Sequence, residues 1–167
     1  MKSMLIVYYS QARGNTARIA EMLRAATGAD VMQIDTEVPY PEDYNVVVEQ
    51  GEDEVKRGFE PKLKKLERRI ADYDVIAVGT PTWWYTMAPA VRTFLHGENW
   101  QGKTVVPFAT NGGWAGHVIK DMTRACAGAE VVCPMQVRFD SEGGDRLETP
   151  EREIDAWCGQ VAAVLKS

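Results

Sequence analysis

Three short stretches hold the residues best placed to do chemistry. "SQARGNT" (Ser10 to Thr16) follows an apolar run. It gathers Ser10, Gln11, Ala12, Arg13, Gly14, Asn15 and Thr16 without a carboxylate. A helix N-terminus offers unpaired amides and the positive end of a dipole, so such a turn suits a terminal phosphate. Gly14 lets the backbone approach closely, while Ser10, Asn15 and Thr16 are short donors. The same residues also describe an ordinary helix start, with Asn15 or Thr16 as N-cap. The second stretch, "TPTWWYTMAP", sets Trp83, Trp84 and Tyr85 side by side after Pro81 and Thr82. These rings are either a packing plug or a platform for a flat ligand, stacking being worth about 0.5–1.5 kcal/mol beyond area burial. The third, "TNGGWAGH", surrounds Trp114 with Thr110, Asn111, Gly112, Gly113 and Gly116. Its glycines let backbone amides reach a heteroaromatic edge. A phosphate cradle, an aromatic slot and a glycine-rich edge together describe a mononucleotide with a large flat base.

The elements that must position these stretches alternate. Apolar or β-rich runs stand at Met4–Tyr9, Asp30–Asp35, Tyr73–Gly79, Lys103–Thr110 and Glu130–Phe139. Pro107 and Pro134 each remove a ladder donor from the last two. Helical stripes lie between them: Ile19, Met22, Leu23 and Ala26; Val91, Phe94 and Leu95 after Pro89; Val118, Met122 and Ala125; Ile154, Trp157, Val161 and Leu165. Thr149 and Pro150 read as N-cap and first residue of the last helix. The segment from Thr36 to Asp72 is longer than one crossover needs. It is expected to hold a helix around Tyr44–Arg57 and a basic run, "KLKKLERR", that reads as a solvated face or a docking patch for an acidic partner.

Strands alternating with helices imply an α/β domain. The expected architecture is a doubly wound, five-stranded parallel sheet of order 2-1-3-4-5 with helices on both faces, one domain over residues 1–167. In such sheets ligands bind at the carboxyl ends of the strands, at the switch point between strands 1 and 3, and the three stretches are the loops after strands 1, 3 and 4.

Composition narrows the function classes. With 45% hydrophobic and 26% charged residues the chain reads as soluble and globular, and a net charge of −5 argues against nucleic acid as partner. No membrane span or leader pattern is seen, and a cytoplasmic protein is expected. Cys126, Cys133 and Cys158 have neither disulfide-framework nor zinc-site spacing, and His96 and His117 lack metal-ligand company. No cysteine stands in the first loop for a thiol phosphatase, no aspartate cluster for a phosphoacceptor, and no G-K-[ST] for a Walker loop. No metal site or catalytic acid–base pair is assigned.

The three loops, in order and spanning nearly the whole chain, resemble those of the flavodoxin family, which binds FMN non-covalently. The resemblance implies that Ser10, Gly14, Asn15 and Thr16, with Arg13 as an added guanidinium, hold the FMN phosphate. Pro81 to Tyr85 would flank the isoalloxazine, Trp83 or Trp84 stacking on it, and Thr110 to Gly113 would meet its pyrimidine edge and the ribityl chain. It implies an electron carrier between redox partner proteins; the alternative is an NAD(P)H-dependent reductase of quinones or similar small acceptors. Two residues depart from the family pattern. Arg13 takes the slot of a second hydroxyl, and Tyr85 stands where relatives often carry glycine. A turn with φ > 0 there costs a tyrosine about 1–2 kcal/mol, so redox tuning through that turn is expected to be weakened.

Overall fold

The computed structural model describes residues 1–11, 14–142 and 144–167. Its elements are β1 (Met4–Tyr8), α1 (Asn15–Thr27), β2 (Asp30–Gln33), α2 (Tyr44–Arg57), β3 (Val75–Trp83) and β4 (Thr86–Met87). They continue through α3 (Pro89–His96), β5 (Thr104–Asn111), α4 (Val118–Ala125), β6 (Glu130–Val131), β7 (Met135–Arg138) and α5 (Glu151–Lys166). Strands pair in parallel in the order β2-β1-β3-β5, followed by β6 and β7, both on β5. The five expected positions are present in the expected order. Two additions raise the strand number to seven: the fifth position is divided, and β4 pairs antiparallel with the end of β3.

Proline chemistry explains the division. Pro134 separates β6 from β7, and Cys133 before it takes φ 49°. On β5, the carbonyls of Val105 and Asn111 accept from Val132 (2.9 Å) and Phe139 (2.7 Å). Pro107 shares their parity, so the side on which it lacks an N–H faces this interruption. Two prolines thereby share one gap in the ladder.

Side-chain alternation along the central strands builds two cores. Leu5, Val7, Ile76, Val78, Val105 and Ala109 face α3 and α4, through Val91, Phe94, Leu95, Val118 and Met122. Met4, Ile6, Val75, Ala77, Val106 and Phe108 face α1 and α5, through Ile19, Leu23, Ile154, Trp157, Val161 and Leu165. The helix stripes are as expected except that Ala26 is exposed and Ala20 is buried in its stead. The expected Thr149 cap is corrected: its hydroxyl accepts from the Arg138 amide at 2.7 Å, and the last helix starts one residue later, at Glu151.

The long segment after β2 folds back on the sheet. Lys62 and Lys64 bond Glu37 and Asp35 through the backbone. Leu63 and Leu66 pack on the core while the lysines point to solvent, and Arg68 and Arg69 pair with Asp30 and Asp72. Helix α2 begins at Asp43, whose carboxylate accepts from the amides of Asn45 (2.9 Å) and Val46 (3.3 Å). Among the described residues no helix is long and apolar enough to cross a membrane, and no cluster of three metal-ligating side chains occurs. Removing the cap tests α2's start: Asp43→Ala should lower stability by about 1 kcal/mol, roughly 2–4 °C in melting temperature, with Asp43→Asn nearly neutral.

Candidate functional site

The carboxyl ends of β1, β3 and β5 open into one cavity of about 380 Å³. Of the expected site residues, Ser10, Gln11, Asn15, Thr16, Pro81, Thr82, Trp83, Trp84, Tyr85, Thr110, Asn111, Gly112 and Trp114 line it. Gly14, Gly113 and Gly116 are not on its wall. Ala12 and Arg13 lie outside the described residues.

At the α1 end the geometry is polar. Gly14, at φ 69°, is the N-cap in place of the expected Asn15 or Thr16, which are released for other work. The Ser10 hydroxyl accepts from the Ala17 amide at 3.2 Å. Thr16 is buried and shares a 2.8 Å hydroxyl–hydroxyl bond with Thr110, fastening the first turn of α1 to the end of β5. Asn15 donates to the Gly144 carbonyl at 3.1 Å, bringing the loop after β7 onto the cavity. The Asn15 and Thr16 amides belong to the first turn of α1, where a helix gives its N–H groups no intrahelical partner and its dipole favours an anion.

The opposite wall is aromatic. Trp83 is wedged edge-to-face against Tyr40 (centroids 5.1 Å) and Tyr9 (5.9 Å). Its neighbour points elsewhere: the Trp84 indole N–H donates to the Val48 carbonyl of α2 at 2.8 Å. Trp84, Tyr85 and Trp114 are 39%, 50% and 60% exposed, so they form the mouth rather than a core plug. Tyr40 donates to the buried Glu54 carboxylate at 2.6 Å, and Tyr9 donates to the Gln11 amide oxygen, also at 2.6 Å. Burial pushes both phenols up, and the Glu54 carboxylate beside Tyr40 adds to the rise, so both remain protonated donors.

The connection between β3 and β4 is a two-residue hairpin whose central residues, Trp84 and Tyr85, have φ 49° and 71°. That sign pattern belongs to a type I′ turn, usually given to Asn-Gly. Tyr85 holds the left-handed conformation and so bears the cost expected of a tyrosine there. Surrounding contacts fix it there. Its carbonyl accepts from the His117 amide at 2.9 Å, Thr86 donates to Asp121 at 2.5 Å, and a Cβ on Gly116 would lie 2.3 Å from the Tyr85 oxygen.

Two parts of the wall lie beyond the site residues named from the sequence, although the long segment holding α2 could be expected to wall a pocket. Helix α2 supplies Tyr44, Val47, Val48 and Gly51, preceded by Glu42, and the loop after β7 supplies Phe139, Asp140, Ser141 and Gly144. Gly51 carried a readable signal: a glycine inside a helix marks close approach, and a Cβ there would sit 3.2 Å from the Trp83 ring.

The donor set fits a mononucleotide with a flat base. Hydroxyls and amides cluster at the α1 end, and rings and methyls line the other. The buried Thr82 hydroxyl has no partner among the described residues. Relief of backbone strain tests the hairpin: Tyr85→Gly should raise stability of the free protein by about 0.5–1 kcal/mol in denaturant unfolding. A loss of more than 1 kcal/mol would show that the tyrosine ring, not the turn, dominates.

Comparison with known proteins bears on this geometry. A family model described as Flavodoxin matches residues 3–148. The fold superposes on a protein of Bacteroides eggerthii assigned as a flavoprotein, at 31% identity and TM-score 0.77 over 97% of this chain and 99% of that one. A flavoprotein of Lactobacillus acidophilus solved in complex with FMN aligns at 21% identity and TM-score 0.70, covering 94% of this chain and 99% of that one. A WrbA-like flavodoxin of Agrobacterium tumefaciens aligns at 18% identity and TM-score 0.64 over 99% and 96%. No protein of curated function matches. A family model matched over residues 3–148 shows that the chain belongs to the flavodoxin family.

Proposed function

We propose that this protein is a flavodoxin-type electron carrier that passes electrons between partner proteins, in the cytoplasm. The observation that carries the reading is the rim. Trp84, Tyr85, Trp114 and Tyr44, the last 64% exposed, crowd the mouth of the cavity. Exposed aromatics of this density mark protein contact surfaces. A partner seated on them meets the cofactor edge over a short distance.

Bound FMN supplies one- and two-electron redox chemistry; the chain's residues hold it and shape its access. Ser10, Asn15 and Thr16, with the amides of the α1 N-terminus, would take the phosphate. Thr110, Asn111 and Gly112 would face the ribityl chain and ring edge. Trp83, locked by Tyr9 and Tyr40, would be the fixed aromatic wall, and Trp84 with Tyr85 the outer one. The buried Thr16–Thr110 bond sets the spacing between the phosphate turn and the third loop.

One observation favours a second reading, an NAD(P)H-dependent reductase. Helix α2 stands over the cavity and gives it the depth a small-molecule acceptor would use. Anaerobic rapid mixing separates the two. The carrier reading expects the FMN-loaded protein to be reduced quickly by a flavin reductase supplied with NADPH. NADPH or NADH alone should reduce it at least a hundredfold more slowly. Direct reduction by either nucleotide at a comparable rate, followed by turnover with a quinone, would establish the reductase instead.

A further inference from the structure

The aromatic wall leads away from the cavity to a buried acid. Trp83 lines the cavity, its ring 5.1 Å from that of Tyr40. Tyr40 donates at 2.6 Å to Oε1 of Glu54, which is only 4% exposed. The second carboxylate oxygen accepts from Gln50 at 2.8 Å, and among the described residues Glu54 has no ion pair. The Tyr40 hydroxyl thus points its proton at a carboxylate oxygen across a short hydrogen bond. Tyr9 provides the contrast. It is also close to Trp83, at 5.9 Å, but its hydroxyl meets the Gln11 amide oxygen, which has almost no proton affinity.

We propose that Tyr40 is a redox-active tyrosine, with Glu54 as its proton acceptor, that takes over the oxidising equivalent when the cavity's aromatic wall loses an electron. Trp83 first gives one electron to a one-electron oxidant in the cavity, such as light-excited oxidised FMN, and becomes a radical cation. Tyr40 then returns one electron to Trp83. Its O–H bond breaks, and the proton joins Glu54 Oε1. The products are neutral Trp83, a neutral tyrosyl radical and a neutral carboxylic acid; the electron given to Trp83 takes the Tyr40–Glu54 pair from −1 to 0 and cancels the positive charge on the indole. Return of an electron to Tyr40 reverses the proton shift. The pair thus stops an oxidising equivalent on a phenol behind the wall and spares the indole that lines the cavity. The inference rests on the FMN reading only for the identity of the oxidant.

Laser-flash transient absorption and paramagnetic resonance on the FMN-loaded protein test it. The wild type should yield a neutral tyrosyl radical, formed more slowly in deuterium oxide as the indole radical decays. Tyr40→Phe keeps the ring and removes the hydroxyl; it should leave a long-lived indole radical and no tyrosyl signal. Glu54→Gln should lower the tyrosyl yield at least tenfold. If that variant does not fold, Glu54→Asp withdraws the carboxylate by one methylene and should also lower the yield. The same flash experiment on FMN-free protein, with a soluble ruthenium polypyridyl photo-oxidant, separates failure of this proposal from failure of the FMN reading. A Tyr40 radical produced by ruthenium alone would support the relay and count against FMN as oxidant. A tyrosyl yield unchanged in Tyr40→Phe or in the Glu54 variants, or its absence with both oxidants, would overturn the relay.

Discussion

The cavity depends on the hairpin tip at Trp84 and Tyr85, two bulky residues in the left-handed conformation that type I′ turns usually reserve for asparagine and glycine. Holding both there costs about 1–2 kcal/mol per residue, and the surroundings supply the compensation. Helix α4 gives the His117 amide to the Tyr85 carbonyl and Asp121 to Thr86. Helix α2 gives the Val48 carbonyl to the Trp84 indole. Gly116 and Gly51 admit the hairpin's backbone and rings at distances that side chains there would obstruct. One strained turn therefore ties α2 to α4, and its rings together with α2 form the outer wall of the cavity.

A second, opposite anchor sets the polar end. The buried Thr16–Thr110 bond links α1 to β5 above the switch point, and Asn15 and Arg18 draw the loop after β7 towards α1 through the carbonyls of Gly144 and Asp145. Thr16, Thr110 and Asn15 are neutral and Arg18 is cationic, so none of these links adds a negative charge that would repel a phosphate. The aromatic end is braced differently, by Tyr40 reaching into the interior of α2 at Glu54. Among the described residues no cation pairs with this carboxylate, and burying it so carries a cost; in return it fixes the phenol, and through it Trp83.

Much of this was legible because it rests on local chemistry. The stripe Ile154, Trp157, Val161 and Leu165 could only be one helix face, and the continuous apolar run ending at Gly79 only a doubly covered strand. The three loops fell at strand ends, where the parallel topology gathers them. What stayed hidden depends on tertiary partners. Thr149 has the chemistry of a cap, yet an amide on β7 competes for its hydroxyl. The α2 wall comes from a segment whose polar exterior gives little hint of what its inner face meets; Gly51 was its one local mark. Tyr85 read as an obstacle to positive φ, because sequence alone does not show the carbonyl, amide and carboxylate contacts that hold the turn.

Equilibrium titration of apoprotein with FMN, followed by tryptophan emission and repeated with riboflavin, tests the central claim that one cavity holds a phosphate at α1 and a flat ring at the hairpin. Saturable one-to-one quenching by FMN, with riboflavin at least tenfold weaker, is the expected result. Equal affinity for the two ligands would contradict the phosphate turn, and saturable binding without quenching would remove the flavin ring from the aromatic wall.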